Sequence, residues 1–170
     1  MQDIFLTPHF TLRELTESQA AKKYGIDNSP SPVEVMNLQK LCANTLEPLR
    51  EALGLPIIIT SGYRCKTLNN KVSHHSTRSQ HMNGQAADFW VQGSKSKVQG
   101  ESVQGRRELL ILAFRLIIES SDIDYDQLII YPSFIHVSYV SRERNRHKLT
   151  KGFGNGKYCA LTRADALAIS

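Results

Sequence analysis

Two histidines and one aspartate occupy positions that suit a metal ion. His81 and Asp88 belong to the segment SQHMNGQAAD, and His136 lies in the apolar run FIHVS. Two imidazoles and one carboxylate are the three protein ligands of a catalytic zinc site, whose fourth position stays open for water. A turn at Gly84 can bring His81 and Asp88 to one ion, because glycine adopts backbone angles that other residues avoid. A histidine inside a strand also needs a polar partner, which a metal would provide.

The elements that must position these residues include several amphipathic or capped helices. The predicted helices span 11–24, 31–54, 106–119 and 163–169. The capping-box sequences TLRE and SPVE mark the first two starts, and Gly25 and Gly54 mark their ends. Pro48 lies inside the second helix and should kink or split it, because proline lacks an N–H donor.

Short runs of β-branched and aromatic residues predict a small sheet. The predicted strands span 56–60, 86–91, 127–131 and 134–140, with the last two forming a hairpin. The first run is apolar throughout, which is typical of a strand buried on both faces. A surface loop is predicted over 93–105. Helices that flank a small sheet with mixed connections make an α+β domain.

Length and composition indicate one globular domain. The chain has 170 residues, 41% of them hydrophobic and 22% charged, which excludes disordered and collagen-like classes. We predict a domain over 1–150 and a C-terminal tail with a short helix over 151–170. The first residues lack the pattern of a secretory signal, and no apolar stretch reaches the ~20 residues of a membrane span. We therefore expect a chain that is cytoplasmic as synthesised and does not enter a membrane.

The remaining histidines and the cysteines are not predicted to bind metal. The other histidines, each more typical of a surface or hydrogen-bonded residue, are His9, His74, His75 and His147. Three cysteines at irregular spacing fit reduced thiols better than a disulfide framework. The sequence does not determine the oligomeric state.

Taken together, the motifs resemble a known family. In chain order, TSGYR, LN, SQHMNGQAAD, DQLI and FIHVS are similar to motifs of the zinc D-alanyl-D-alanine carboxypeptidase and L-alanyl-D-glutamate endopeptidase superfamily. The resemblance covers residues 8–148. It implies a peptidase of bacterial peptidoglycan with the fold of the Hedgehog signalling domain. That fold would be a small, mostly antiparallel sheet flanked by helices.

The resemblance also implies a role for each matching residue. The implied ligands of one Zn²⁺ per chain are His81, Asp88 and His136. The implied substrate-binding residues are Ser79, Gln80 and Ser138. Arg64, the implied catalytic residue, would polarise the scissile carbonyl and stabilise the oxyanion, a role that suits a permanently charged guanidinium. Ser79 and Gln80 would line the substrate cleft or brace the ligand loop, and Ser138 would share the side of the strand that carries His136.

One feature of the family pattern is missing. Many members carry an acidic residue three or a few more positions before the last histidine ligand, where it serves as general base. Here that position is Ser133, Tyr131 nearby is not acidic either, and the nearest upstream carboxylates are Asp126 and Asp124. Another carboxylate could take the role, the water could react with little help, or the protein could bind metal without efficient hydrolysis.

Two functional hypotheses follow. The first is a zinc metallopeptidase, carboxypeptidase or endopeptidase, which uses a zinc-activated water on D-amino-acid-containing bonds of peptidoglycan stem peptides. The alternative is a catalytically weak or inactive metal-stabilised module that binds cell-wall peptide or a protein partner. A phage or mobile-element origin, with release to the wall, would reconcile a wall enzyme with the expected cytoplasmic synthesis.

The positive charge gives weaker information about partners. The net charge of +5 suits an anionic wall. The basic run at 142–148 is either a solvated rim or a polyanion contact. No RNP, zinc-finger or helix-turn-helix motif accompanies it, so nucleic-acid binding is the weakest hypothesis.

Overall fold

The computed structural model describes residues 3–72, 76–93 and 103–170. The helices are α1 (Leu12–Thr16), α2 (Gln19–Tyr24), α3 (Pro32–Leu41), α4 (Glu47–Leu53), α5 (Lys66–Asn69), α6 (Val103–Glu119) and α7 (Arg163–Leu167). The strands are β1 (Phe5–Thr7), β2 (Phe10–Thr11), β3 (Ile57–Ser61), β4 (Ala86–Val91), β5 (Gln127–Ile130), β6 (Ile135–Ser138), β7 (Lys148–Gly152) and β8 (Tyr158–Ala160). A π-helical segment covers Cys42–Leu46, and a 3-10 helical turn covers Gln80–Asn83.

Six strands form one mixed sheet, and a small hairpin lies beside it. The order across the large sheet is β3-β4-β6-β5-β7-β8, while β1 pairs with β2. β5 and β7 run parallel, and the other neighbouring pairs are antiparallel. α6 packs on β4 and β5, with Phe89, Phe114 and Leu128 fully buried in the core. The prediction of an α+β domain with a small, mostly antiparallel sheet flanked by helices is confirmed.

The first predicted helix is two short helices. Thr11 begins α1 with the expected capping box, in which the Thr11 N–H donates to the Glu14 carboxylate at 2.8 Å. The chain becomes extended at Glu17, and the Ser18 hydroxyl then accepts from the Ala21 N–H at 3.2 Å to begin α2. Serine favours caps over helix interiors, which explains the interruption at this point.

Pro48 divides the second predicted helix as expected. Because proline has no N–H, the carbonyl of Asn44 loses its helical donor. The π-helical segment lies at this point, and the Asp124 N–H donates to the Asn44 carbonyl at 3.0 Å instead. The Thr45 hydroxyl donates to the Asp124 carbonyl at 2.5 Å. These two bonds tie the interrupted helix to the chain that precedes β5.

The prediction that the first strand of the large sheet is buried on both faces is wrong. β3 lies at one edge of the sheet, next to β4. Ile57 is buried, Ile58 and Ile59 are half-buried, and Thr60 is exposed. Its β-branched residues suit an extended conformation in any strand, so an apolar run alone does not establish a central position.

The C-terminal segment adds two strands that the sequence did not predict. β7 runs parallel to β5 and pairs on its other side with β8, so the predicted boundary at residue 150 falls inside β7. The short helix α7 lies where it was predicted and packs on α6, with Ala166 fully buried. The Arg115 guanidinium donates to the Ile169 carbonyl at 2.7 Å. The segment therefore shares the core of the rest of the chain.

The structure also bears on the expectations about membrane spans, cysteines and surface loops. None of the described helices is long and apolar enough to cross a membrane. All three cysteines are free thiols, as expected. Three features lie outside the described residues, namely His74, His75 and the central part of the predicted 93–105 loop.

Candidate metal centre

Two neighbouring strands and one helical turn bring the predicted ligands together. In the β4–β6 pair, Asp88 lies directly opposite His136. His81 belongs to the 3-10 helical turn before β4, which ends at Gly84 with a φ of 66°. A Cβ on Gly84 would lie 2.5 Å from the Glu34 carbonyl oxygen, so both the backbone angle and the space require glycine. This turn places His81 beside the aspartate of β4.

The polar atoms of the three side chains face one another at short range. His81 Nε2 lies 3.3 Å from His136 Nδ1 and 3.4 Å from Asp88 Oδ1. His136 Nδ1 lies 2.8 Å from the same Asp88 oxygen. His81 Nδ1 lies 2.7 Å from the Gly62 carbonyl oxygen, to which it can only donate. That bond assigns the proton of the neutral ring to Nδ1 and leaves the Nε2 lone pair facing the cluster.

Two of the three separations fit a zinc ion, and the third, 2.8 Å between His136 Nδ1 and Asp88 Oδ1, is a direct hydrogen bond that would have to lengthen around the metal. Ligand atoms 2.0–2.1 Å from a tetrahedral zinc lie roughly 3.3 Å apart. Two of the separations match this value, at 3.3 and 3.4 Å. Among the described residues the group consists of His81, Asp88 and His136, with no fourth His, Cys, Asp or Glu. The three side chains could therefore hold one zinc and leave a coordination position for water or substrate.

Burial and charge favour the protonation states that bind metal. His81 is only 3% exposed, and burial lowers its pKa, so its imidazole is neutral at neutral pH. Burial alone would raise the pKa of Asp88, but the adjacent His81 and His136 hold it well below its usual range. A neutral imidazole and an ionised carboxylate are the forms that coordinate a metal.

Arg64 lies on the wall of the same pocket. Its backbone N–H donates to the His81 carbonyl at 3.2 Å, and its Nη2 donates to Ser79 Oγ at 3.3 Å. Its Nε is buried and has no hydrogen-bond partner within the described parts of the chain. Burial lowers the pKa of the guanidinium, which still carries its charge because free arginine deprotonates only above pH ~12. Arg64 therefore places a positive charge on the wall of the pocket that holds the metal ligands.

A buried carboxylate ties together the residues around the ligands. Asp126 is 1% exposed and accepts from Gln80 Nε2 at 2.9 Å and from Arg146 Nε at 2.8 Å. Gln80 begins the turn that carries the first histidine ligand, so this bond braces that turn. Ser138 is fully buried, donates to Asp126 at 3.4 Å and accepts from the Gln127 N–H at 3.0 Å. Ser138 thus supports the pocket wall instead of facing the pocket.

The ligands open onto a positively charged pocket of about 960 Å³. That volume is at the upper end for ligand pockets and can take a peptide segment. The basic residues that line it are Arg64, Arg78, Arg144, Arg146 and Lys148. The carboxylates among the described lining residues are Asp88, held between two imidazoles, and Asp126, paired with Arg146. The basic run at 142–148 therefore contributes to the pocket rim.

Comparison with known proteins identifies the family. The sequence model of the peptidase M15 family matches residues 8–111, which is more than half of the chain. The chain belongs to the peptidase M15 family. This family comprises zinc-dependent metallopeptidases, so the resemblance seen in the motifs is confirmed. No curated protein matches the chain.

The M15 match includes two of the ligands, and the sheet supplies the third. Arg64, His81 and Asp88 lie within the matched residues, whereas His136 lies beyond them and reaches the site through the β4–β6 pairing. Three further residues of this M15 peptidase line the pocket although no sequence motif points to them, namely Arg146, Tyr131 and Tyr158. Sequence spacing gives no signal for Tyr158, because β8 reaches the pocket only through its pairing with β7.

Proposed function

We propose that this chain is a zinc metallopeptidase that hydrolyses D-amino-acid-containing bonds in peptidoglycan stem peptides. The observation that carries the proposal is the group of His81, Asp88 and His136 on a cationic pocket of an M15 chain. Zinc held by these residues would supply a Lewis acid and lower the pKa of a water to about 7. The surrounding side chains would bind and orient the peptide.

Arg64 would hold the carbonyl oxygen of the scissile bond. Arg64 lines the pocket that holds the metal ligands, and its Nη2 donates to Ser79 Oγ at 3.3 Å, which fixes the guanidinium. A fixed cation in a partly buried site stabilises the negative charge that develops on a carbonyl oxygen during attack. The backbone bond from Arg64 to His81 keeps this donor next to the metal ligands.

The charge of the pocket rim supports an acidic peptide as substrate. Arg78, Arg144 and Lys148 are exposed, and they make no ion pair within the described parts of the chain. A peptide that carries free carboxylates would therefore meet cations that are not already neutralised. The attraction would weaken as salt concentration rises, because the rim is open to solvent.

Zinc content and product analysis test the proposal. Purified protein should bind one zinc per chain, and His81→Ala should lose it, while the control His147→Ala should keep it, since His147 pairs with Asp124 away from the ligands. The zinc-loaded wild type should cleave defined muropeptides into products that mass spectrometry identifies. Metal-free protein that cuts muropeptides as fast as the zinc form would contradict the proposal.

One observation favours a second function. Both carboxylates among the described lining residues are engaged, so neither is free to act as general base. The alternative is a metal-stabilised module that binds cell-wall peptide or a protein partner without cleaving it. Calorimetry and product analysis on the same muropeptides separate the two functions. Binding without product supports the module, and product formation supports the peptidase.

A further inference from the structure

Tyr131 lies between β5 and β6, close in the chain to the ligand His136. It follows β5 directly and lines the same pocket as the metal ligands. Its backbone N–H donates to the Phe134 carbonyl at 3.0 Å in the turn that leads to His136. Since Asp88 and Asp126 are engaged, the phenol groups of Tyr131 and Tyr158 remain as uncharged hydrogen-bonding groups in the described pocket lining.

Close packing fixes the Tyr131 ring. It stacks on Phe134 with centroids 4.3 Å apart and an interplanar angle of 15°. Its other neighbour is the backbone of Gly152, where a Cβ would lie 2.3 Å from a ring carbon. Arg107 Nη1 also donates to the Tyr131 carbonyl at 3.0 Å. The hydroxyl is therefore held in place before any ligand arrives, which is the condition for an effective transition-state donor.

Tyr158 reaches the same pocket from β8. Its hydroxyl lies 3.2 Å from that of Tyr131, from which it accepts a hydrogen bond, and its ring lies edge-on at 6.2 Å between centroids. Tyr158 is 55% exposed. A hydroxyl can donate and accept at once, so Tyr158 can donate to Tyr131 when Tyr131 turns its own hydrogen towards a ligand.

We propose that the Tyr131 hydroxyl is a catalytic group that donates a hydrogen bond to an oxygen of the tetrahedral transition state, with Tyr158 as its positioning residue. The inference rests on the proposed peptidase function. No covalent bond to Tyr131 forms or breaks, and the hydroxyl keeps its proton throughout. Its contribution is the energy of one hydrogen bond that strengthens as charge develops on the substrate oxygen.

The electrostatics of the pocket agree with this role. Burial raises the pKa of Tyr131, and the hydrogen bond that it donates to Tyr158 raises it further. The hydroxyl therefore stays protonated, and remains a donor, at every pH near neutrality.

Tyr131→Phe tests the inference, because it removes the hydroxyl and keeps the stacked ring. We expect kcat on muropeptides to fall about 10–100-fold, with KM and zinc content unchanged. A phosphinate peptide, which mimics the tetrahedral state, should bind the variant weaker by a similar factor. The cleaved product peptide should bind both proteins equally. Tyr158→Phe should show a smaller loss, and the exposed, distant Tyr24→Phe should show none.

The two proposals fail in different ways. If the wild type cleaves muropeptides and Tyr131→Phe has the same kcat and phosphinate affinity, the inference is overturned and the proposed function stands. If the wild type cleaves nothing, the proposed function fails. The inference, which rests on that function, then fails with it, so the cleavage assay on the wild type distinguishes the two failures.

Discussion

At the residue scale, two hydrogen bonds to main-chain carbonyls join the TSGYR and SQHMNGQAAD motifs into one unit. The Gly62 carbonyl accepts from His81 Nδ1 at 2.7 Å, and the His81 carbonyl accepts from the Arg64 N–H at 3.2 Å. One bond orients a metal ligand and the other positions the cation beside it. The TSGYR and SQHMNGQAAD motifs are therefore parts of one structure, in which a change in either displaces a group that the chemistry needs.

Replacing Arg64 should affect the chemical step more than substrate binding. Removal of an oxyanion donor lowers kcat by roughly 10²–10³-fold, which is the loss we expect for Arg64→Ala. Arg64→Lys should recover little, because an ammonium cannot offer the same fork of donors. Steady-state kinetics check this. Arg78→Ala, at the exposed rim, is the control and should raise KM by at most about fivefold with kcat unchanged. Equal kcat losses in both variants would contradict the assignment.

The Asp126–Arg146 pair predicts a pH-dependent contribution to stability. Burial alone would raise the pKa of Asp126, but hydrogen bonds from Arg146 and then Gln80 lower it. A carboxyl group whose folded-state pKa lies below its unfolded value of about 3.9 stabilises the folded protein fully above pH ~4. This stabilisation is lost as the pH falls from there through the lower, folded-state pKa. Arg146→Gln leaves the buried carboxylate without its cation, but Arg146 is 57% exposed and Gln80 still donates to Asp126, so we expect a loss of about 1–2 kcal/mol at pH 7.

Urea denaturation at several pH values measures this effect. The difference between wild type and Arg146→Gln should shrink as pH falls below about 4, because a protonated Asp126 no longer needs a cation. The exposed Arg142→Gln is the control, with an expected change within about 0.5 kcal/mol. A difference that stays constant from pH 7 to pH 3 would show that the pair contributes through packing rather than charge.

At the scale of elements, the 3-10 helical turn depends on Gly84. Gly84→Ala adds a Cβ 2.5 Å from the Glu34 carbonyl oxygen at a φ of 66°. We expect a loss of roughly 3 kcal/mol, from the unfavourable backbone angle and the overpacking together. Zinc should bind about tenfold more weakly, because the turn carries His81.

Gly25 offers a matched control for that substitution. It also ends a helix at a φ of 61°, but a Cβ there would meet nothing within 4 Å. Gly25→Ala should therefore lose only about 1 kcal/mol and bind zinc normally. Urea denaturation and zinc titration of the two variants separate the cost of the angle from that of the contact. Equal effects on zinc affinity would mean that the turn does not position His81.

Local chemistry made part of this architecture predictable from sequence. The caps at Thr11 and Ser31, the break at Pro48 and the turn at Gly84 each depend on residues within a few positions of one another. The strand that carries His136 has the β-branched pattern typical of strands. The candidate ligands follow from these elements, because they lie on or next to segments whose type is locally determined.

Strand order was not predictable in the same way. β7 has the sequence KLTKG, which lacks a β-branched or aromatic run, and its extended form depends on pairing with β5. The Asp126–Arg146 pair and the approach of Tyr158 to Tyr131 follow from that pairing. The edge position of β3 likewise depends on which strands pair. Nonlocal hydrogen bonds decide these features, and single-chain periodicity does not encode them.

At the scale of the whole molecule, positive charge is concentrated at the pocket that holds the metal ligands. The net charge of +5 is modest, yet the described pocket lining holds five basic side chains beside two engaged carboxylates. The far end of the chain contributes to this pocket as well, because Lys148 begins β7 and Tyr158 begins β8. The C-terminal segment is therefore connected to the site and to the core at once.

This connection predicts that the chain unfolds as one unit. Ala166 of α7 is fully buried, whereas Ala164 in the same helix is exposed. Ala166→Glu buries an unpaired carboxylate, for which we expect a loss of about 4 kcal/mol, while Ala164→Glu should change stability by less than about 0.5 kcal/mol. Urea denaturation followed by tyrosine fluorescence and by zinc release should give coincident transitions, both shifted in Ala166→Glu. If residues 151–170 were an independent tail, zinc release would keep its wild-type midpoint in this variant.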